Sequence, residues 1–91
     1  MKQRKRKTGR VMAALALPQD VILGLPRISM RGNTQLYLEN HQGIVAYQRE
    51  TVRVRTAWGM MAVEGKELQL GALGTQDLLI VGHIAGVRYE E

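Results

Sequence analysis

The chain has no cysteine, and this absence removes several classes of function at once. Disulfide bonds, thiolate nucleophiles and cysteine-based metal sites all need the missing side chain. Histidine is scarce too, since the chain has only His41 and His83, and these are too few for a zinc site unless carboxylates or a second chain contribute. Beyond scattered carboxylates, nothing supports a catalytic site. We therefore expect no cofactor, no metal and no enzymatic activity.

Long apolar runs are also missing. The run Val11–Leu17 has seven residues, whereas a membrane-spanning helix needs about 20. A cleaved signal peptide is not favoured either, because seven residues is the lower limit for its apolar region and no disulfide-bearing domain follows. Good helix formers fill the run and Pro18 closes it. We predict a short apolar helix or linker over residues 11–19, which packs on the body or lies at a membrane surface.

Positive charge is confined to one end of the chain. The formal net charge is +5, yet residues 11–91 hold seven basic and eight acidic side chains, a net charge of −1. The other six basic residues are Lys2, Arg4, Lys5, Arg6, Lys7 and Arg10. A block of like charges stays solvated until it meets an anionic surface. Residues 1–10 are therefore predicted to be a flexible, disordered basic tail.

This basic tail has three interpretations: a solvated tail without a partner, a contact for anionic lipid, and a contact for nucleic acid. Each Lys or Arg near an anionic membrane contributes about 1 kcal/mol, and the adjacent apolar run would add a second weak anchor. Nucleic acid binds basic tails in general, because contact with the phosphates releases counterions. This tail, however, has no aromatic residue on which bases could stack. We expect lipid or no partner, and nucleic acid is the less favoured alternative.

From Ile28 onward, apolar and polar residues alternate, as they do in a strand with one buried face. Similar pairs recur at intervals of about 16 residues: Leu36/Leu38, Val52/Val54, Leu68/Leu70 and Ile84/Gly86. Further pairs lie between them: Ile28/Met30, Ile44/Ala46, Met61/Val63 and Leu78/Ile80. The pattern predicts a single all-β domain over residues 20–91, built from repeated short strands.

Two arrangements of the strands fit this repeat: a β-solenoid-like coil and a β-meander of hairpins. Gly43 and Gly59, again 16 residues apart, fall where turns belong. No Asn-Gly or Asp-Gly pair marks a tight hairpin turn, and the segment Gly82–Val87 looks like the coils of polymerising β-solenoids. We favour the solenoid, with the meander as the alternative.

The segment Glu39–Gly43 is the most tempting candidate for a chemical site. On a strand, Glu39 and His41 would share a face and could bind a proton or a metal together. The pair has no nucleophile in register and no third ligand. We therefore interpret the segment as a strand ending in a turn, in which Asn40 or His41 bonds main-chain groups and Gly43 takes a positive φ.

Four arginines are predicted to lie on solvated strand faces: Arg27, Arg31, Arg53 and Arg55. Their expected partners in surface ion pairs are Glu39, Glu50 or Glu64, and each such pair contributes about 0–1 kcal/mol. The alternative is that these charges protect a sheet edge from uncontrolled strand pairing.

An exposed surface for self-association or for a partner is predicted around Trp58. Met61 shares a face with Val63, which leaves Met60 beside Trp58 on the opposite face. Tyr37, flanked by Leu36 and Leu38, is a third candidate for this surface. Aromatic and methionine side chains are enriched at interfaces, although the run Val11–Leu17 could instead cover this face.

Several motifs together resemble the YabP/YqfC family of sporulation proteins, and the YqfC branch in particular. They are a proline-acidic step at residues 18–20, Leu-Pro-Arg-Ile at 25–28, Glu-Asn-His-x-Gly-Ile at 39–44 and Gly-x-Ile-x-Gly at 82–86. The resemblance covers roughly residues 17–89. It implies action in the mother cell of an endospore-forming bacterium, beside a membrane-anchored sporulation partner. It supplies no catalytic residues, so the motif residues Pro26, Arg27, Glu39, Asn40, His41 and Gly43 are interpreted as structural.

We therefore predict a non-enzymatic sporulation protein that acts by binding a protein partner or by forming a homo-oligomer. It is expected in the mother-cell cytoplasm, with peripheral contact to the membrane around the forespore. The alternative is a nucleic-acid-binding accessory protein that uses the basic tail.

Overall fold

The computed structural model describes residues 24–90, which form one sheet of six strands. The strands are β1 (Arg27–Arg31), β2 (Gln35–Glu39), β3 (His41–Tyr47), β4 (Thr51–Thr56), β5 (Gly59–Leu73) and β6 (Asp77–Glu90). The all-β prediction is confirmed for this part of the chain. The predicted basic tail (residues 1–10) and short helix (residues 11–19) lie outside the described residues.

Neighbouring strands are antiparallel throughout, in the order β1-β2-β6-β5-β4-β3. Strands β3 to β6 follow one another as a meander, and the β1–β2 hairpin joins the sheet beside β6. Coils of a β-helical solenoid stack through parallel strands, so the favoured solenoid is not what this sheet shows.

Strands β5 and β6 are much longer than the sequence pattern predicts, at 15 and 14 residues. Each contains two of the predicted short strands. The register between them shifts at three places: Glu64/Gly65, Lys66/Gln69 and Leu70/Ala72. Shifts of this kind are β-bulges, which bend a strand and increase its twist.

The bend in β5 and β6 is held by unusual main-chain angles and by two turns. Glu67 has a φ of 51° and Gly82 a φ of 139°, both in the region that extended strands avoid. The amide of Gly65 donates to the carbonyl of Glu50 at 3.0 Å, and the amide of Gly82 donates to the carbonyl of Thr34 at 3.1 Å. The β3–β4 and β1–β2 turns are therefore both attached at the bend.

One hydrophobic core receives side chains from both ends of the bent strands. Its buried members are Leu36, Leu38, Val52, Val54, Met61, Val63, Leu68, Leu78, Ile80 and Ile84. All of them belong to the alternating pairs that the sequence marks. The pair on β1 is different, because Ile28 and Met30 keep 37% and 46% of their surface exposed. Strand β1 is the last strand of the described sheet and lacks a neighbour on its outer side.

Candidate functional site

Asn40 forms the corner between β2 and β3. Its φ of 68° is left-handed, a conformation that asparagine tolerates better than most residues. The amides of Asn40 and His41 both donate to the carbonyl of Gln76, at 2.7 and 3.2 Å. The Asn40 side-chain amide donates to the carbonyl of Leu25 at 2.8 Å. The corner thereby ties the β5–β6 turn to the segment that precedes β1.

His41 is buried at this corner, with 6% of its surface exposed. Its Nδ1 accepts a hydrogen bond from the amide of Gly43 at 3.0 Å, so the ring hydrogen belongs on Nε2. That nitrogen lies 3.3 Å from the carbonyl oxygen of Gly74 and 3.2 Å from that of Asp77, and donates to both. Both ring nitrogens of His41 therefore have main-chain partners.

Glu39 is not beside His41 on one strand. Glu39 ends β2 and His41 begins β3, and the left-handed Asn40 between them breaks the alternation that would place both side chains on one face. Glu39 is instead half-buried opposite Arg27, with 3.9 Å between its Oε2 and the Arg27 Nε. Glu39 and His41 therefore do not share the face of one strand.

An apolar groove of about 510 Å³ lies beside this corner, since one of its lining residues is Leu25, whose carbonyl accepts the Asn40 side-chain amide. Leu25, Pro26, Trp58 and Tyr89 line it. Trp58, in the β4–β5 turn, is 65% exposed, and Tyr89 near the end of β6 is 46% exposed. Burial raises the pKa of the Tyr89 phenol. The sequence analysis singled out Trp58 but missed Leu25 and Tyr89, because only the fold brings these distant segments together.

Of the three residues predicted to share one surface, Trp58 lines this groove, whereas Met60 and Tyr37 have other neighbours among the described residues. Met60 is half-buried opposite Arg55 and Glu90. Tyr37 lies on β2, where its hydroxyl donates to Oδ2 of Asp77 at 2.7 Å. This hydrogen bond is the main reason that the pKa of Tyr37 is raised. Ala62, which alternation places on the same strand face as Met60, is fully buried opposite Arg53 on β4 and Arg88 on β6.

A network of four charged side chains crosses the outer face of β4, β5 and β6. Arg53 donates through Nε and Nη2 to Oε1 of Glu90, at 2.9 and 2.8 Å. Arg88 contacts Glu64 at 2.8 Å and Glu90 at 3.2 Å. The Arg88 guanidinium lowers the pKa of Glu64, and Glu64 in turn raises the pKa of Arg88. Arg53 thus has a different partner from the predicted glutamates, because Glu90 on β6 reaches across the intervening strand β5 to Arg53 on β4.

The bend contains a cleft of about 470 Å³ whose lining includes the polar side chains of Glu50, Glu64, Lys66 and His83. Glu64 is already engaged by Arg88. Within residues 24–90, no group of three or more histidine, aspartate or glutamate side chains is arranged to hold a metal ion. In the same range, no helix is long and apolar enough to cross a membrane. The six basic tail residues lie outside the described part of the chain.

Comparison with known proteins places the chain in a family. A model of the YabP family matches residues 24–91. A protein of Bacillus subtilis (strain 168), named "Uncharacterized protein YqfC", is 37% identical over 92 residues, covering 100% of this chain and 99% of that protein. No solved structure matches the chain. With a family match over the whole described sheet and a relative of equal length, the chain belongs to the YabP family.

Proposed function

We propose that this chain is a non-enzymatic protein of sporulation that acts by binding another protein. Membership of the YabP family suggests a sporulation-related role. The polar side chains that looked most like a chemical site are engaged by the fold itself, since His41 and Asn40 both bond main-chain groups. Binding, rather than catalysis, is the activity that the remaining exposed groups support.

The groove of Leu25, Pro26, Trp58 and Tyr89 is the observation that carries this proposal. Two of its four side chains are large aromatics with about half or more of their surface exposed. Tryptophan and tyrosine are enriched among the residues that dominate binding energy at protein interfaces. A monomer gains nothing by leaving such side chains in water, whereas a partner that covers them removes apolar surface from solvent.

The place of action that we propose is the mother-cell cytoplasm, beside a membrane-anchored sporulation protein at the membrane around the forespore. The basic tail supports this placement, because a run of Lys and Arg is attracted to anionic lipid headgroups. Self-association through the sheet is the alternative form of assembly. Light scattering on the full-length chain at two concentrations distinguishes a monomeric adaptor from an oligomer.

The test of the groove is complementation of an endospore-forming bacterium that lacks its own copy of the protein. Trp58→Ala is expected to reduce the yield of heat-resistant spores. The matched control is Leu73→Ala, which removes a similarly exposed apolar side chain, 59% exposed, outside the groove. Circular dichroism of both purified variants establishes that each is folded. Equal spore yields for the two variants would remove the support that the groove gives to this proposal.

Site-specific photo-cross-linking supplies the second readout. A photoreactive amino acid at position 58 is expected to form an adduct with another protein during sporulation, while the same group at position 73 forms none. The protein that carries the photoreactive group must still support sporulation. If it does and neither position forms an adduct, the proposal that the chain binds a partner is contradicted.

A further inference from the structure

Strand β1 is the most exposed element of the described sheet. All five of its residues are exposed, and within residues 24–90 it pairs with β2 alone. The outer side of such a strand presents main-chain N–H and C=O groups to an incoming strand. Among the described residues, the outer side of β1 is therefore a place where a further strand could pair.

The main chain of β1 reveals which groups point outward. The carbonyl of Arg31 accepts the amide of Thr34 across the β1–β2 turn, and Arg31 stands opposite Gln35. The main-chain groups of Arg31 therefore point toward β2. Because this direction alternates along an antiparallel strand, Ile28 and Met30 direct their N–H and C=O groups away from β2. Two residues thus supply four hydrogen-bonding groups to the open side.

The inner face of β1 carries two partly exposed apolar side chains, those of Ile28 and Met30. Ile28 lies opposite Leu38 and Met30 opposite Leu36, two fully buried members of the core. Ile28 and Met30 themselves remain 37% and 46% exposed. Apolar side chains from a further strand would continue the core across them, as cross-strand pairs do elsewhere in a sheet.

The outer face of β1 has a different character. Ser29 stands opposite Tyr37, and a groove of about 350 Å³ opens beside them. Its lining consists of Ser29, Met30, Arg31, Gln35, Tyr37 and Leu79. A serine in the middle of the strand leaves room in which a large side chain of an incoming strand could lie over Tyr37.

Charge determines which kind of strand fits. Arg27 already contacts Glu39, whereas none of the ion pairs among the described residues involves Arg31. A second copy of this chain is a poor occupant, because two-fold antiparallel pairing about Ser29 would place Arg27 opposite Arg31 at both ends. Like charges directly opposite are destabilising, so the complementary strand carries a carboxylate opposite Arg31.

We propose that the open side of β1 binds an extended, antiparallel segment of a partner protein with the pattern acidic, apolar, aromatic, apolar. The acidic side chain meets Arg31, the two apolar side chains cover Met30 and Ile28, and the aromatic side chain fills the groove beside Ser29. The proposal rests on the proposed function only in that the ligand is a protein segment.

The test uses the full-length chain and a labelled peptide, threonine-glutamate-valine-tyrosine-valine-threonine, with binding measured by fluorescence anisotropy. Met30→Pro removes one outward N–H while sparing the bonds to β2, a position where sheets tolerate proline. We expect Met30→Pro to weaken binding about tenfold or more, because main-chain bonds give this mode its affinity. Met30→Ala, the matched control, keeps the N–H and should weaken binding by about threefold at most.

A charge exchange tests the same site without touching the main chain. Arg31→Glu is expected to weaken binding of the glutamate peptide by about threefold. It should strengthen, by a similar factor, binding of a peptide with lysine in place of glutamate. The proposal is overturned if the wild type does not bind the glutamate peptide. It is also overturned if neither Met30→Pro nor Arg31→Glu changes the affinity for that peptide. Dimerisation of the wild type that Met30→Pro abolishes overturns it as well, because a second copy would then be the occupant. None of these outcomes affects the complementation test of the Trp58 groove.

Discussion

Gly65 lies so close to His83 that a β-carbon on Gly65 would overlap the His83 carbonyl oxygen. The two residues face each other where β5 and β6 bend together. Gly82 repeats the arrangement one step away, since a β-carbon there would stand 2.6 Å from the carbonyl oxygen of Glu67. The bend depends on this approach of two main chains, which only glycine permits.

Gly65→Ala is expected to lower the free energy of unfolding by about 1–3 kcal/mol, the usual cost of an added group where there is no room. Chemical denaturation measures the change. Gly86→Ala is the matched control on β6, because nothing lies within 4 Å of its added carbon and its φ is not positive. The control should be neutral or should stabilise by about 0.4–1 kcal/mol through the unfolded chain. Equal effects of the two substitutions would show that the close approach does not constrain the bend.

His41→Ala is expected to lower the free energy of unfolding by about 2–4 kcal/mol. The substitution leaves a cavity, and the carbonyls of Gly74 and Asp77 lose their hydrogen-bond donor. His83→Ala removes an exposed histidine of β6 and should change stability by less than about 0.5 kcal/mol. Thermal unfolding and spore yield are measured together for each variant. Loss of function from His41→Ala at unchanged stability would show a chemical role for the imidazole and contradict the non-enzymatic proposal.

Periodicity alone was enough to predict the core. Leu36 and Leu38 alternate with polar neighbours, and both are fully buried, because a strand can bury only one face. The same pattern could not show that β5 continues through Glu67, since a non-glycine residue with a positive φ has no reliable signature in sequence. Strand order was equally hidden, because the β2–β6 pairing joins segments about 40 residues apart and depends on the bend.

The candidate surface was predictable only in part. Strand alternation singled out Trp58 on the face opposite Met61, and the structure leaves Trp58 exposed. Its neighbours Leu25 and Tyr89 come from opposite ends of the described sequence and meet in one groove, so no local spacing relates them. The turn expected at Asn40 does exist, but the network around His41 was not foreseeable, because its two acceptor carbonyls belong to the distant β5–β6 turn.

The ion pair of Glu64 and Arg88 predicts a pH dependence. Arg88 lowers the pKa of Glu64 in the folded state, so the pair stabilises the fold above the unfolded pKa of glutamate, about 4.3. This contribution is lost as the pH falls from there through the lowered pKa. Wild type should therefore be more stable than Glu64→Gln at pH 7, and the difference should vanish in acid and shrink in high salt. A difference that persists unchanged at low pH would contradict the assignment.

The raised pKa of Tyr37 predicts that the stability of the fold also depends on pH in the alkaline range. Its hydrogen bond to Asp77 raises its pKa, so its contribution to stability is present below the unfolded pKa of about 10 and is lost as the pH rises through the higher folded value. Asp77→Asn should move the phenol's pKa back toward its ordinary value. Ultraviolet absorbance titration follows the three tyrosines, with Tyr37→Phe identifying the one that moves. If Asp77→Asn shifts no tyrosine, the hydrogen bond is absent in solution.

The six basic residues of the tail are expected to bind the protein to anionic membranes. Six Lys and Arg residues near an anionic surface contribute about 1 kcal/mol each, so replacing all six by glutamine should weaken binding to phosphatidylglycerol vesicles by well over about tenfold. Flotation measures the bound fraction, and vesicles of phosphatidylcholine alone provide the uncharged surface. Arg49→Gln with Arg55→Gln is the control in the body of the protein, because both arginines are exposed on the described sheet and should matter little. Equal binding by the glutamine variant would contradict the electrostatic role of the tail. Preferential binding to duplex DNA over vesicles at the same salt concentration would instead favour the nucleic-acid alternative.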